Sequence, residues 1–148
     1  LLCDGCLMEA QAPAFSLKRY WFDDIVLTSK GFVPNENIRV DFGPKCIFSK
    51  SSHSAILEVT FTASTGSAEK PFFRVKCCGE YVFGESVKTV SDIPDFFYAN
   101  GIAIIYPYLR AYVSLVSQQA NFGCAIILPL SNLSGIKDFV KKNTTEID

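Results

Sequence analysis

Residues 92–133 read DIPDFFYANGIAIIYPYLRAYVSLVSQQANFGCAIILPLSNL, in which aromatic residues around a proline precede a long apolar run. Within that run, apolar residues recur at the spacing of one helix face. They are Ile105, Leu109, Val113 and Val116. Proline is tolerated in the first turn of a helix, so Pro107 predicts a helix that begins near residues 104–106. The stretch is more apolar than one small monomer can easily bury, which indicates self-association or the binding of other apolar chains.

Four β-strands are predicted upstream of this helix. Residues 55–64 alternate apolar and polar side chains, and residues 72–83 repeat the pattern after a polar turn, which is typical of a hairpin. Residues 38–42 and residues 15–27 are the other two predicted strands. Because the connections between them are short, we expect the four strands to form an antiparallel meander.

The segment between the last strand and the long helix has two interpretations. Phe96, Phe97 and Tyr98 either cover one face of the sheet as core residues or line a groove, because aromatic side chains suit variable apolar partners. After the long helix, Pro129 starts a new element, and a short helix carrying Phe139 is predicted. Strands followed by helices make the expected fold class α+β, in one domain spanning residues 1–148.

Composition excludes several classes of protein. Hydrophobic residues make up 49% and charged residues 20% of the 148 residues, which is typical of a globular domain. A formal net charge of −1 argues against nucleic acid as the partner. No apolar run approaches the length of a membrane-spanning helix, which is about 18 residues or more. LLCDGCLMEA, at residues 1–10, has no basic region before its apolar residues and makes a poor signal peptide, so we expect a cytoplasmic protein.

The six cysteines do not predict a metal site. Cys3 and Cys6 have C-x-x-C spacing, but no second pair follows at a distance suited to a four-ligand zinc site. Cys77 and Cys78 are adjacent in a predicted strand and point to opposite faces. We therefore expect free thiols that act as small core residues, and no metal or other cofactor.

No catalytic signature is present. His53, the single histidine, lies in a polar stretch between strands, where a solvated side chain is the usual outcome. Asp23 and Asp24 are neighbours in a strand, so their carboxylates diverge and do not form an acid/base pair. Phosphate-binding glycine loops are absent. We expect a protein that is not an enzyme, although a small-molecule-binding α+β domain with a closed aromatic pocket stays open as an alternative.

Five strings, in this order, resemble the SecB-type protein-export chaperones. They are FSLKRYWFDDI at residues 15–25, LEVTFTA at 57–63, FRVKCCGEY at 73–81, YPYLR at 106–110 and LPLSNL at 128–133. YPYLR is similar to the family's aromatic-Pro-Tyr-Ala-Arg signature at the main helix, and LPLSNL is similar to its entry to the last helix. The resemblance covers about residues 15–140.

This resemblance implies a four-stranded antiparallel sheet, a crossover loop, a long helix and a short lid helix. It implies a homotetramer, built as a dimer of dimers whose long helices meet at the centre. Ile105, Leu109, Val113 and Val116 are the expected oligomer contacts. It also implies an ATP-independent holdase that keeps unfolded or nascent polypeptides export-competent in an apolar groove. Carried over by position, the groove residues are Phe72, Ile93, Phe96, Phe97, Tyr108, Leu133, Ile136 and Phe139.

The face that meets the SecA translocase motor in export chaperones departs from the family pattern. That face is acidic in the family, and Asp24 matches one of its positions. Thr28 and Arg74 stand where carboxylates are expected. These changes predict weak or altered binding to SecA. A SecB-like chaperone that serves a toxin–antitoxin system is therefore the alternative to an export chaperone.

Overall fold

The computed structural model describes residues 13–66, 70–120, 123, 125–129 and 133–148, and the side chains of Leu133 and Ser134 lie outside the description. Its strands are β1 (Phe15–Leu27), β2 (Ile38–Ser49), β3 (Ser54–Thr65), β4 (Phe73–Phe83) and β5 (Thr144–Ile147). Its α-helices are α1 (Phe97–Ala120) and α2 (Lys137–Lys142), and short 3₁₀ turns cover Val90–Asp92 and Leu133–Ile136. The predicted α+β class, with one long and one short helix, is confirmed.

The sheet differs from the predicted four-stranded meander in two ways. Its strand order is β1-β4-β3-β2-β5, so β1 pairs with β4 rather than with β2. The prediction also missed β5, which runs parallel to β2 and makes the sheet mixed. Four residues are too few for an alternation pattern to be visible. β5 forms because it satisfies backbone groups that would otherwise be unpaired at the edge of β2.

The inner face of the sheet forms the core beneath α1. Buried and half-buried residues alternate strictly along β3, as the sequence predicted. Its inward side chains include Leu57 and Phe61, which are fully buried, while Glu58 and Thr60 point to the outer face. Such alternation fixes the register, because a slip by one residue would expose the whole apolar set.

Two glycines allow α1 to lie very close to the sheet. A Cβ added at Gly79 of β4 would lie 2.8 Å from Cγ2 of Ile105, and one added at Gly101 of α1 would lie 3.1 Å from Cδ2 of Leu57. The buried hydroxyl of Tyr81 donates a hydrogen bond to the carbonyl oxygen of Gly101. The helix is therefore both packed on and hydrogen-bonded to the sheet.

The long helix begins earlier than its proline predicted. α1 starts at Phe97, which places Pro107 in its interior. A proline there removes one backbone hydrogen bond and costs about 3 kcal/mol. Starting at Phe97 brings Phe97, Tyr98 and Ile102 into the core at 0, 2 and 1% exposure. Each buried side chain of this size contributes about 1.5–3 kcal/mol, so packing outweighs the proline.

The apolar face of α1 that the sequence predicted packs against the sheet of the same chain. Ile105, Leu109 and Val113 are buried against the sheet, and Val116 is partly buried beside them. This corrects their expected place at an oligomer contact, because side chains that fill the core of one chain are not free to meet a second copy. A contact between copies through α1 would have to use its outer side.

Candidate functional site

The short helix α2 is held beside the N-terminus of α1. Its Val140 is fully buried, and the carboxylate of Asp95 forms ion pairs with Lys137 and, at 3.2 Å, with Lys141. Hydrogen bonds from these lysines, Lys137 first, lower the pKa of Asp95 below its ordinary value. The hydroxyl of Thr144 donates to the carbonyl of Val140 at 2.7 Å and fixes the exit into β5.

An apolar groove separates α2 from β2. We call it the lid groove and define it by Val40, Phe42, Pro44, Ile136 and Phe139. These residues border two adjoining cavities of about 330 and 620 Å³, which share Phe42, Pro44 and Phe139. Phe139 is 62% exposed although it lies beside other apolar side chains. A large exposed aromatic in such a place marks a surface suited to an apolar ligand.

The backbone of β2 is open along this groove. β5 pairs only with residues 46–49, so residues 38–45 have no strand partner on that side within the described part of the chain. The N–H of Cys46 donates to the carbonyl of Asn143 at 3.2 Å, which shows that even-numbered residues direct their N–H groups to this edge. Val40 and Phe42 therefore present backbone groups to the groove. An extended peptide can add to such an edge as a further strand.

Pro44 and Gly43 shape the same edge. Pro44 has no N–H to offer at a position that faces the open edge, and prolines in sheets are confined to such positions. Gly43 leaves space on the outer face of the sheet, where a Cβ would lie 4.0 Å from Thr60. Both residues line the larger cavity, which wraps around the edge at this point.

A second apolar cleft lies at the opposite edge of the sheet. It has a volume of about 480 Å³ and lies between the start of β1 and the first turns of α1. Its lining includes Phe15, Phe96 and Ile104. Phe96 is 51% exposed, whereas its neighbour Phe97 is fully buried among Phe15 and other core aromatics. We call this the β1–α1 cleft.

The predicted groove residues do not form one site. Ile136 and Phe139 meet in the lid groove, and Phe96 lies in the β1–α1 cleft. Tyr108 stacks on Tyr20 of β1, with ring centroids 4.0 Å apart. The other described groove positions are core residues: Phe72 is 1%, Ile93 6% and Phe97 0% exposed. The side chain of Leu133 lies outside the described residues.

Sequence reasoning missed the β2 side of the lid groove. Val40 and Phe42 belong to the strand predicted at residues 38–42, and Pro44 lies just beyond its predicted end. Pro44 was the available signal, since a proline within a strand indicates an edge. The edge of β2 is partly open because β5 pairs only with residues 46–49. No local sequence pattern reveals the extent of this pairing.

The YPYLR string holds the segment that leads from α1 to α2. The hydroxyl of Tyr106 donates to the carbonyl of Pro129 at 2.6 Å, and Nε of Arg110 donates to the carbonyl of Leu128 at 2.6 Å. One more contact lies further along the helix, where the N–H of Ile126 donates to Oγ of Ser117 at 2.8 Å. Residues four apart lie on one side of a helix, so the string is a clamp for residues 125–129.

The outer side of α1 carries a second apolar stripe. Ile104 is 38% and Leu115 57% exposed, and Ala111 lies between them. Ile127, in the clamped segment 125–129, is 70% exposed and extends the stripe. Pro107 is part of it too, because it lines one cavity of about 350 Å³ together with Ala111, Leu115 and Ile127. We call these five residues the outer α1 stripe.

At the positions predicted to dock the SecA motor, the acidic and the basic side chain form an ion pair with each other. Arg74 lies 3.4 Å from the carboxylate of Asp24, the one acid that matches the family pattern. Thr28 lies just beyond the end of β1, and its hydroxyl accepts a hydrogen bond from the N–H of Lys30 at 3.1 Å. These positions therefore present no cluster of unpaired acids.

The described cysteines are protonated, buried thiols. Burial raises the pKa of Cys46 and Cys77 to about 12 and that of Cys78 to about 11. Cys3, Cys6 and Cys124 lie outside the described residues. Among the residues that are described, no group of three or more metal-binding side chains occurs. No helix in the same part of the chain has the length and hydropathy needed to cross a membrane.

Comparison with known structures finds a similar fold. The chain is similar to a SecB-like chaperone from Mycobacterium tuberculosis, solved in complex with a ChAD peptide from the HigA1 antitoxin. The TM-score is 0.52 and the sequence identity 11%, and the match covers 82% of this chain and 89% of that chain. No protein-family model and no curated protein matches the sequence. The SecB-like fold predicted from the sequence is thus confirmed, while the export branch of the family is not.

Proposed function

We propose that this protein is an ATP-independent chaperone that holds an extended apolar segment of an unfolded or nascent polypeptide in the lid groove. The observation that carries the proposal is the open backbone of β2 beside the exposed ring of Phe139. Backbone hydrogen bonds to the edge do not depend on the client's sequence, and apolar side chains of the client fill the groove. No bound nucleotide or metal is needed for such binding.

The energetics of the groove suit a holdase. Micromolar binding corresponds to about −8 kcal/mol. Well-buried apolar anchors contribute on the order of 2 kcal/mol each, and the costs of ordering an unfolded client oppose them. Contacts with Phe42, Ile136 and Phe139 together with edge pairing can supply binding of this strength. Release then needs no energy source, because the affinity is moderate.

Two kinds of client are compatible with this site. An exported precursor and an antitoxin both offer extended apolar segments before they fold. We favour a dedicated client of the antitoxin type, because the similar chaperone was solved with an antitoxin peptide and because Asp24 is already paired with Arg74. Docking to the SecA motor stays a weaker prediction for the same reason. Both kinds of client are consistent with action in the cytoplasm.

The small-molecule alternative receives less support from the geometry. The cavities around Phe139 and Phe96 are clefts open to solvent, and a compact ligand is best held in an enclosed pocket. An extended chain fits an open groove with a strand edge along one wall. We therefore propose polypeptide binding and no enzymatic activity.

Blocking the lid groove tests the proposal. Gly43→Leu should fold, because the space above Thr60 accepts a Cβ at an ordinary contact distance of 4.0 Å. Its side chain would project into the larger cavity and should weaken binding of a fluorescent apolar peptide at least about tenfold. Gly84→Leu is the matched control, since no atom of the described residues lies within 4 Å of a Cβ added there.

Two readouts on the same samples decide the outcome. Peptide affinity is measured by fluorescence anisotropy, and holding activity by suppression of the aggregation of a urea-unfolded protein. Loss of both in Gly43→Leu and retention in Gly84→Leu is the expected result. Unchanged affinity and holding in a folded Gly43→Leu protein would remove the lid groove from consideration.

A further inference from the structure

Two lysines that form no ion pair with any described residue stand at one end of the lid groove. Lys45 of β2 and Lys142 of α2 both line the larger cavity, and its lining contains no carboxylate from the described part of the chain. Neither lysine has a carboxylate oxygen within 4.0 Å among the described residues. Both side chains therefore border the groove without forming an ion pair with a carboxylate of the described residues.

Neighbouring lysines are arranged differently. Lys137 and Lys141 of α2 are both bound to Asp95, and Lys50 lies 3.6 Å from Glu146 and 3.3 Å from Asp148. These charges are neutralised inside the chain. Lys45 and Lys142 thus differ from the other lysines around the lid, and their common location is the groove.

Two acids lie beside these lysines in the chain or across the sheet, and neither is bound to them. Glu58 faces Lys45 across the β2–β3 ladder, and Asp138 lies one turn before Lys142, but neither forms an ion pair with them. Asp41 lines the smaller cavity at the other end of the groove. Charge along the groove therefore changes from negative at Asp41 to positive where β5 begins.

We propose that the lid groove selects extended apolar segments that carry an acidic residue at the end next to β5. This inference rests on the proposed function and names the chemistry of its client. The apolar part of the segment would contact Phe42 and Phe139, and its carboxylate would lie between Lys45 and Lys142. Complementary charges at the rim of a site discriminate among partners and speed association more than they raise affinity.

The expected selectivity is modest and sensitive to salt. Exposed ion pairs are individually weak, so two of them should change the dissociation constant by about 5- to 10-fold. The Debye length falls from about 8 Å at physiological ionic strength to about 3 Å at 1 M salt. The preference for acidic segments should therefore shrink at high salt, while apolar binding persists.

Three peptides with one apolar core test the inference. Their flanking residues are glutamate, glutamine or lysine, and their affinities for the full chain are compared by fluorescence anisotropy at low and high salt. We expect the glutamate peptide to bind about 5- to 10-fold more tightly than the lysine peptide, with the glutamine peptide between them. In the variant with Lys45→Gln and Lys142→Gln, the three peptides should bind with nearly equal affinity. The difference in affinity among the peptides should persist in the control with Lys18→Gln and Lys30→Gln, which removes the same charge elsewhere in the chain.

The outcomes separate this inference from the proposed function. Equal affinity for the three peptides, or tighter binding of the lysine peptide, would overturn the charge preference and leave the groove intact as a peptide site. A preference that persists without Lys45 and Lys142 would show that other residues cause it, which also overturns the inference. No binding of any of the three peptides at either salt concentration would overturn both proposals together.

Discussion

Tyr108 of α1 stacks on Tyr20 of β1, with ring centroids 4.0 Å apart and ring planes 12° from parallel. One turn later Tyr112 stacks on Phe22 in the same manner, at 4.1 Å. The two stacks fasten the long helix to the edge strand. A position that the sequence assigned to client binding therefore holds the helix against the sheet of its own chain.

Replacing Tyr108 should lower stability rather than client affinity. Aromatic pairs contribute about 0.5–1.5 kcal/mol beyond the area they bury, so Tyr108→Ala should reduce the free energy of unfolding by about 1–2 kcal/mol. The lid groove lies at the opposite edge of the sheet, about 14 Å away across three strand spacings. Urea unfolding and peptide anisotropy measure the two effects. Weaker peptide binding at unchanged stability would contradict this separation.

Phe96 and Phe97 should respond very differently to truncation. Phe97 is fully buried and its ring lies 5.2 Å from that of Tyr81 and 5.0 Å from that of Phe83, so Phe97→Ala should cost about 3–5 kcal/mol. Phe96 is half exposed, and Phe96→Ala should cost well under half as much. Denaturant unfolding compares them directly. Similar losses in the two variants would mean that Phe96 is also a core residue.

The sequence predicted what depends on local patterns. Alternation identified strands at residues 55–64 and 72–83, and helical spacing identified the inward face of α1. Alternation shows which face of a strand is buried, but it does not show which strand pairs with it. The pairing of β1 with β4 was therefore not predictable. The proline rule misplaced the start of α1, because the burial of Phe97 and Tyr98 outweighs one lost hydrogen bond.

The candidate site was less predictable because it is assembled from distant segments. Ile136 and Phe139 were found through the family resemblance. Their partners Phe42 and Pro44 lie almost a hundred residues earlier, and they become groove residues only because β5 stops short on β2. Phe72 was misassigned for the converse reason, since aromatic character alone does not distinguish a groove from a core.

The close contact between α1 and β4 should not tolerate a side chain at Gly79. Its added Cβ would meet Ile105 at 2.8 Å, and overpacking of this kind costs about 1–3 kcal/mol, so Gly79→Ala should be destabilised. Gly84→Ala is the matched control, because the space around Gly84 is open. That control should be neutral or stabilised by about 0.4–1 kcal/mol. Thermal or urea unfolding measures both, and equal stability of the two variants would argue against the tight contact.

The lid should depend on the charge of Asp95. Its pKa is lowered by Lys137 and Lys141, so the ion pairs are present at neutral pH and are lost as pH falls through that lowered value. Asp95→Asn should therefore speed hydrogen exchange of the amides in α2 at neutral pH. In acid, where the carboxylate of the unaltered protein is protonated, the difference between the two proteins should disappear. Equal exchange at neutral pH would show that the ion pairs of Asp95 do not hold the lid.

We expect the protein to form a homotetramer, or at least a stable dimer, through the outer α1 stripe. Ile104, Ala111 and Leu115 face away from the sheet, and an apolar stripe of this kind is usually covered by a partner. Leu115→Glu places a charge in the stripe and should shift the molar mass measured by light scattering towards that of the monomer. Ser86→Glu adds the same charge to an exposed loop and should leave the mass unchanged. If the unaltered protein is already monomeric at micromolar concentration, the stripe is not an oligomer contact, and binding of a client would have to be explained by a single chain with one lid groove.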